Sequence, residues 1–157
     1  METGVTTSNP YLMMDQQSYN AARYLQFWRD EQNAPRWLVD SLGSRAISEQ
    51  EFLSFCENCW NIYDLGNALL YVERRGEDIC EIHFSILRGS EINMDALKIT
   101  KCELLQHFNK IFGWVHSRNK GLQQVCEALG LRFNGVKLLE GGEKVITWKC
   151  FMLDSRD

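Results

Sequence analysis

The sequence has few features of membrane, fibrous or disordered proteins. Only two of its 157 residues are proline, and no segment is repeated or of low complexity. Its longest apolar run is far shorter than the roughly 20 residues that a membrane-spanning helix needs. With 45% apolar and 24% charged residues, the composition is that of an ordinary globular domain.

A basic surface is also missing from the sequence. The net charge is −4, and no basic run or basic helix face stands out. The aromatic residues recur at core periods and do not form a platform on which bases could stack. We therefore expect no direct binding to nucleic acid and none to an anionic membrane.

The six cysteines follow neither a disulfide nor a metal pattern. They lie within the apolar pattern, at positions 56, 59, 80, 102, 126 and 150. The polar start "METGVTTSNP" has no apolar leader-like stretch, so we expect reduced cysteines in the core of a cytoplasmic protein. Cys56 and Cys59 have the C-x-x-C spacing, but no second pair accompanies them and both fall on one helix face. We therefore predict no metal site.

Helical spacing predicts two helices in the N-terminal part. Residues 1–15 lack a period and are predicted to form an arm, and Gln16–Arg29 follows with amphipathic spacing. Ser48 and Glu51 form a capping box that predicts the start of the second helix. From Ala68 the period changes to two, and "ALLYVE" and "DICEIHFSIL" around "RRGE" predict a β-hairpin.

The C-terminal part alternates helices and strands. "RGSEINMDALKI" has no clear period and is predicted as a connection, followed by a helix that starts at a Thr100–Glu103 capping box. "IFGWV" has strand length. Asn119 is a plausible N-cap for the next helix, and Gly130 a plausible end. "LRFNGVKLLE" and "EKVITWKCFML" predict a terminal hairpin.

Two segments resemble the GNAT superfamily of acyl-CoA-dependent N-acetyltransferases. "GWVHSRNKGLQQVCEALGLRFNGV" is similar to the family's strand, Asn, helix, Leu-Gly-Phe and strand. "EIHFSILRGSE" resembles its central strand and cofactor loop, particularly in GNAT-like proteins of tailed bacteriophages. Those proteins share an E-x-H strand, an Arg-Gly after it and the late Asn. The resemblance covers about residues 65–153.

The resemblance implies a single GNAT-like α/β domain over residues 16–157, with a central twisted mixed β-sheet flanked by helices. It implies acetyl-CoA as cosubstrate and an amine as acceptor. Glu81 and His83 are then candidate catalytic residues that deprotonate the amine. Cys126 stands where the family usually has the tyrosine that protonates the leaving thiolate. The candidate cofactor-binding residues are Arg88, Gly89 and Asn119.

Each candidate also has a purely structural explanation. Asn119 can be an N-cap only, Glu81 and His83 a polar pair on a strand face, Cys126 a core thiol, and Arg88–Gly89 a strand exit. The usual cofactor loop, Arg/Gln-x-x-Gly-x-Gly/Ala, is reduced here to that Arg-Gly pair.

Carboxylates also stand near the expected phosphates, which would lie by Arg88, Gly89 and the helix beginning at Thr100. Glu91 and Asp95 would repel those phosphates.

Three functions therefore stay open. The first is acetyl transfer with a degenerate cofactor loop. The second is a non-catalytic phage protein that acts in virion or head assembly or inside the virion, and the third is a module that binds a host protein. For a phage protein we expect the host cytoplasm or the particle as its location.

Overall fold

The computed structural model describes residues 20–31, 47–141 and 144–156. The predicted arm over residues 1–15 and the first residues of the predicted helix Gln16–Arg29 lie outside these ranges. The described elements are α1 (Ala21–Glu31), α2 (Glu49–Asn58), β1 (Asn61–Asp64), β2 (Ala68–Arg74), β3 (Ile79–Ile86), α3 (Met94–Leu104), β4 (Lys110–His116), α4 (Lys120–Ala128), β5 (Arg132–Gly141) and β6 (Lys144–Asp154).

Six strands form one mixed sheet in the order β1-β2-β3-β4-β6-β5. Every neighbouring pair is antiparallel except β3 and β4, which run parallel. The predicted hairpin is the β2–β3 pair, and β5 and β6 form the predicted terminal hairpin. The expectation of a mixed sheet with the strand around Asp78–Leu87 near its centre is confirmed, because β3 is third of six.

The parallel pair at the centre of the sheet is short. β3 and β4 are in register only between Ile79–Glu81 and Lys110–Phe112. Both strands continue beyond those residues, β3 paired with β2 and β4 with β6, but the two strands are no longer paired with each other. Gly113 lies where the pairing ends, and a Cβ there would be 3.2 Å from the carbonyl oxygen of Ile82. The absence of a side chain therefore lets β4 lie close to the Ile82 backbone without a clash.

Helices cover both faces of the sheet, as predicted. On one face α3 and α4 contribute Leu97, Leu104, Cys126 and Leu129 to a buried core that includes Ile82 of β3. On the other face α1 and α2 contribute aromatic residues to a second core, which includes Leu69 and Tyr71 of β2. The alternation of residues along β2 and β3 thus directs side chains into two separate cores.

Three predicted helix signals are confirmed. The Ser48 hydroxyl accepts from the amide of Glu51 at 3.1 Å, and the Glu51 carboxylate accepts from the amide of Ser48 at 2.8 Å. The side chain of Asn119 caps α4 by accepting from the amide of Leu122 at 3.0 Å. Gly130 follows α4 with φ of +89°, in the left-handed region that glycine tolerates.

The predicted start of the third helix is wrong. α3 begins six residues earlier than Thr100, and its N-cap is Asn93, which accepts from the amide of Ala96 at 3.1 Å. Thr100 is buried inside the helix, where its hydroxyl donates to the carbonyl oxygen of Ala96 at 2.9 Å. Asn93 can cap as well as Thr can, and the buried stripe continues back to Ala96, so tertiary packing extends the helix.

Two further differences concern a strand and a thiol. The four-residue strand β1 was not predicted, because it is too short to show a period; Ile62 and Tyr63 are nevertheless buried in it. All six cysteines are free thiols, but Cys102 is exposed on α3 and is not a core residue.

No described helix has the length and apolar character needed to cross a membrane.

Candidate functional site

An open cleft lies where β3 and β4 stop pairing. The strands form its walls, and α4 adds its capped N-terminal end. The lining residues are Ile82, His83, Phe84, Gly113, Trp114, Val115, His116, Asn119, Leu122, Cys126 and Trp148. The cleft therefore brings together three of the sequence-predicted site residues: His83, Asn119 and Cys126.

His83 is held by groups from a neighbouring strand and a helix. Its Nε2 atom lies 2.7 Å from Oε1 of Glu73 on β2 and 3.7 Å from Oε2 of Glu81 on β3. The Phe55 ring of α2 packs edge-on against the imidazole, with centroids 5.5 Å apart. The imidazole is thus mostly buried between a carboxylate and an aromatic ring, with an edge on the cleft.

Arg75 connects the two carboxylates beside His83. Its Nη2 lies 2.9 Å from Oε1 of Glu73, and its Nε lies 2.8 Å from Oε1 of Glu81. Glu73, Glu81 and His83 also place three potential metal-ligating atoms within 4.8 Å of one another. The guanidinium already contributes one positive charge to this group. With His83 neutral, the four side chains carry one net negative charge.

The environment of Glu73 keeps its carboxylate ionised. Burial alone raises the pKa of this group, but the hydrogen bond with His83 and the charges of His83 and Arg75 outweigh burial and lower the pKa below its usual value. A carboxylate can only accept hydrogen bonds. In the neutral imidazole, Nε2 therefore carries the proton toward Glu73, and Nδ1 is left as the acceptor.

Cys126 lines the cleft but is a poor proton donor. The side chain is 1% exposed. Burial, with smaller contributions from Glu127 and Cys150, raises the pKa of its thiol to about 12. The structure therefore places the thiol on the wall of the cleft, in an environment that holds its proton tightly.

Trp148 presents an unused donor at the cleft. Its indole ring packs edge-on against His116, with centroids 5.4 Å apart. The Nε1–H group is buried and has no hydrogen-bond partner within the described ranges. Buried N–H groups are normally paired, so this donor is unusual among the residues that line the cleft.

Arg88 and Gly89 lie in the β3–α3 loop and not among the residues that line the cleft. Arg88 is anchored on α1, with its amide 2.6 Å from Oδ2 of Asp30 and its Nη2 3.2 Å from the Asp30 carbonyl oxygen. Gly89 has φ of +78° in a turn closed by the bond from the Ser90 amide to the Leu87 carbonyl oxygen. This is the glycine position of a type II turn.

The N-terminus of α3 follows the same loop and carries acidic residues. Asp95 lies in its first turn and Glu91 two residues before the N-cap, and both are exposed. The free amides of a helix N-terminus attract anions. The two carboxylates oppose that attraction for any phosphate placed there.

Sequence reasoning missed four residues of this site: Glu73, Arg75, Trp114 and Trp148. Glu73 sat at the end of a predicted strand and Arg75 in the predicted turn, and nothing local marked them as partners of β3. The pairing of Glu73 with Glu81 across the predicted hairpin is the signal that could have identified Glu73, because opposed strand residues share one face.

The fold is shared with solved N-acetyltransferases. An N-acetyltransferase from Staphylococcus aureus aligns with a TM-score of 0.67 at 9% identity, covering 87% of this chain and 95% of the other. A GNAT-family acetyltransferase from Bacillus anthracis gives 0.66 at 11%, covering 88% and 93%. The Salmonella typhimurium protein yncA, solved with its cofactor acetyl-CoA, gives 0.66 at 10%, covering 90% and 91%.

These alignments show the GNAT fold for this chain. No protein-family model matches the sequence, and a search of curated proteins gives no match. At such low identities the structural likeness extends to the backbone and not to individual side chains.

Proposed function

We propose that this protein transfers an acetyl group from acetyl-CoA to an amine. The observation that carries this proposal is the cleft at the end of the β3–β4 pairing, with His83 on its wall and Glu73 behind the imidazole. A cleft of this kind can hold a narrow extended ligand, and a buried imidazole with a fixed tautomer can accept a proton. The protein yncA has the same fold and was solved with its cofactor acetyl-CoA, and this supports the choice of cosubstrate.

The described residues fit the acyl-CoA arm in two ways. Trp148, whose N–H has no partner within the described ranges, and Asn119 both line the cleft, which suits an amide-containing chain. Gly113, which has no side chain, places bare backbone on the wall of the cleft. When bound, acetyl-CoA supplies an acetyl thioester. We propose that Gly113, Asn119 and Trp148 contact the extended arm of acetyl-CoA.

His83 acts as the general base in this proposal. The ionised Glu73 carboxylate accepts from Nε2–H, and in this tautomer Nδ1 is the nitrogen that takes the proton of the attacking amine. Glu73 also stabilises the imidazolium that results. Arg75 holds Glu73 in place and pairs with Glu81, so that Glu81 contributes to the negative potential around the acceptor amine.

We give Cys126 no proton-transfer step. A thiol with a pKa of about 12 is a weaker acid than an ordinary thiol, whose pKa is about 8.5. Donation from it to a leaving thiolate is therefore uphill. Its proposed contribution is to close the apolar wall of the cleft next to Leu122.

Arg88 and Gly89 are proposed to bind the pyrophosphate weakly. Arg88 must leave its contacts with Asp30 before its guanidinium can reach a phosphate. Glu91 and Asp95 repel the anion, and the loop lacks the further glycines that allow close backbone approach. We therefore expect a dissociation constant of about 0.1 mM or weaker, which corresponds to roughly −5.5 kcal/mol or a less favourable value.

The test is release of free CoA thiol from acetyl-CoA in the presence of a panel of primary amines. The proposal predicts release that depends on an added amine and is lost in His83→Ala. A variant on the opposite face, Lys149→Arg, serves as control and should keep the wild-type rate. Equal release by wild type and His83→Ala would refute the proposed base.

A second candidate is a GNAT-fold protein that does not catalyse. Asp95 and Glu91 at the start of α3, and the anchoring of Arg88 to α1, favour it because each weakens the phosphate site. The partner would then be a phage structural protein or a host protein, as the sequence resemblance suggests. Absence of acetyl-CoA binding at millimolar ligand would favour this candidate over the enzyme.

A further inference from the structure

A lysine of the chain itself extends over the rim of the cleft. The ammonium nitrogen of Lys137, on β5, lies 4.3 Å from the ring centroid of Trp114, on β4. Trp114 lines the cleft together with His83. An alkylammonium therefore already occupies the indole face beside the proposed reaction centre, where it gains a cation–π interaction.

The strand register explains how Lys137 reaches this position. On β6, Trp148 pairs with Lys137 on one side and with His116 on the other, and Cys150 pairs with Trp114. These side chains share the sheet face that carries Glu81 and His83. The Lys137 side chain thus crosses β6 toward β4.

The Cys150 thiol lies near both charged groups. Burial is the main cause that raises the pKa of Cys150, the negative charge of Glu81 raises it further, and the positive charge of Lys137 lowers it. Both charges therefore act on one sulfur atom. Lys137 and the acidic group around His83 lie on the same side of β6.

Other lysines with described contacts are held elsewhere. Lys149 Nζ lies 3.3 Å from Oε1 of Gln123 on α4, on the opposite face of the sheet. Lys101 donates to the carbonyl oxygen of Leu129 at 2.8 Å. Lys137 is distinguished from both because its amine contacts a residue of the cleft.

We propose that Lys137 is an acetylation site of the protein itself, modified intramolecularly by acetyl-CoA bound in the cleft between β3 and β4. This inference rests on the proposed acetyl transfer. In the step, the ammonium first gives up a proton to the base, and the neutral nitrogen forms a C–N bond with the acetyl carbonyl carbon. The thioester C–S bond breaks, the nitrogen loses its second proton, and CoA takes up one proton and leaves as its thiol. The product is Nε-acetyl-lysine, and no oxidant or further reactant is needed.

Acetylation has a structural consequence at the rim. The amide product is neutral, so the cation–π contact with Trp114 is lost and the indole face becomes free for the ammonium of a second amine. Lys137 would thus occupy the indole face of Trp114 until its own acetylation ends the contact.

The test follows site-specific acetylation by peptide mass spectrometry after incubation of the purified protein with acetyl-CoA. We expect Lys137 to be acetylated at least tenfold faster than Lys149, at a first-order rate that does not depend on protein concentration. His83→Ala, mixed with wild type, should stay unmodified at Lys137. Equal rates at Lys137 and Lys149, or equal modification of His83→Ala, would overturn the inference.

A second readout needs no catalysis. Bound desulfo-CoA, which cannot transfer an acetyl group, should shield Lys137 from an amine-reactive acetyl ester at least threefold, and should leave Lys149 unshielded. Equal labelling with and without ligand would overturn the placement of Lys137 at the cleft.

The outcomes separate the inference from the proposed function. Acetylation of an added primary amine with Lys137 unmodified would refute self-acetylation and leave the acetyltransferase function standing. If neither an added amine nor Lys137 is acetylated, both are refuted.

Discussion

Nε2 of His83 lies 2.7 Å from Oε1 of Glu73, across the β2–β3 hairpin. The two residues are diagonal neighbours in the register, because Glu73 is opposite Glu81 and His83 is opposite Tyr71. The short contact orders an imidazole that has one edge on the cleft. It gives the proposed base a defined tautomer, and the first prediction tests this.

Glu73→Gln should lower kcat for acetyl transfer by about 10- to 100-fold, with little change in the KM of the amine. The amide keeps the shape of the side chain but removes the charge that stabilises the imidazolium, and general-base assistance is worth about 10²- to 10⁴-fold in all. The acidic limb of the pH–rate profile should move to lower pH. Steady-state kinetics over a pH series measures both effects.

Glu73→Asp is the matched control for that experiment, since it retains the charge and should recover part of the rate. Thermal melting checks that each variant is folded. If Glu73→Gln keeps the wild-type kcat and pH profile, Glu73 has only a structural role.

Neutralising the carboxylates at the start of α3 should tighten cofactor binding. The double variant Glu91→Gln with Asp95→Asn removes two negative charges near the expected pyrophosphate, and we expect acetyl-CoA affinity to rise about fivefold or more at low salt. S-acetylpantetheine lacks the pyrophosphate and should bind both proteins equally. A similar gain for both ligands would mean that the phosphates lie elsewhere.

Leu129→Ala should destabilise the protein far more than Asn119→Ala. Leu129 is 2% exposed in the core under α3 and α4, and such truncations cost about 2–5 kcal/mol. Loss of the Asn119 cap should cost about 1 kcal/mol. Urea midpoints of the two variants decide the order, and equal losses would give Asn119 a larger structural role than its bond to Leu122.

Alkaline pH should destabilise the protein through its buried thiols. Burial raises the pKa of the Cys56, Cys80 and Cys126 thiols to about 12. The folded state therefore keeps protons that the unfolded chain releases above about pH 8.5. Stability contributed by each thiol is complete below that pH. It declines by up to about 1.4 kcal/mol per pH unit as the pH rises toward 12.

Cys126→Ala isolates one of these thiols. Cys126→Ala should have a lower free energy of unfolding than wild type. This difference should shrink between pH 8 and pH 10.5, because only the wild type loses the stability that the Cys126 thiol contributes. Cys102→Ala, at an exposed thiol, is the control and should show a constant difference. A constant penalty for Cys126→Ala would show that its thiol titrates alike in both states.

Local signals in the sequence predicted most of the fold. The capping box of Ser48 and Glu51 and the cap at Asn119 are interactions between residues three apart, so a short stretch contains them completely. The failure at α3 shows the limit of such signals. Asn93 and Thr100 are both possible caps, and the choice depends on which residues pack beneath the sheet.

The site was less accessible to sequence reasoning than the fold. Glu81 and His83 could be placed on one strand face because alternation dictates it. The contacts of Glu73 and Arg75 with that face depend on how β2 and β3 are registered, and the contact of Lys137 with Trp114 depends on three strands. No local pattern encodes such distances.

Acetyl-CoA binding in the cleft is the central claim, and titration calorimetry tests it most directly. Wild-type protein should bind acetyl-CoA with a dissociation constant of about 0.1 mM or weaker. Gly113→Val, which fills the space between β3 and β4, should weaken binding at least tenfold, whereas Gly76→Val in the β2–β3 turn should not. No binding at millimolar acetyl-CoA, or the same affinity in Gly113→Val as in wild type, would contradict the account.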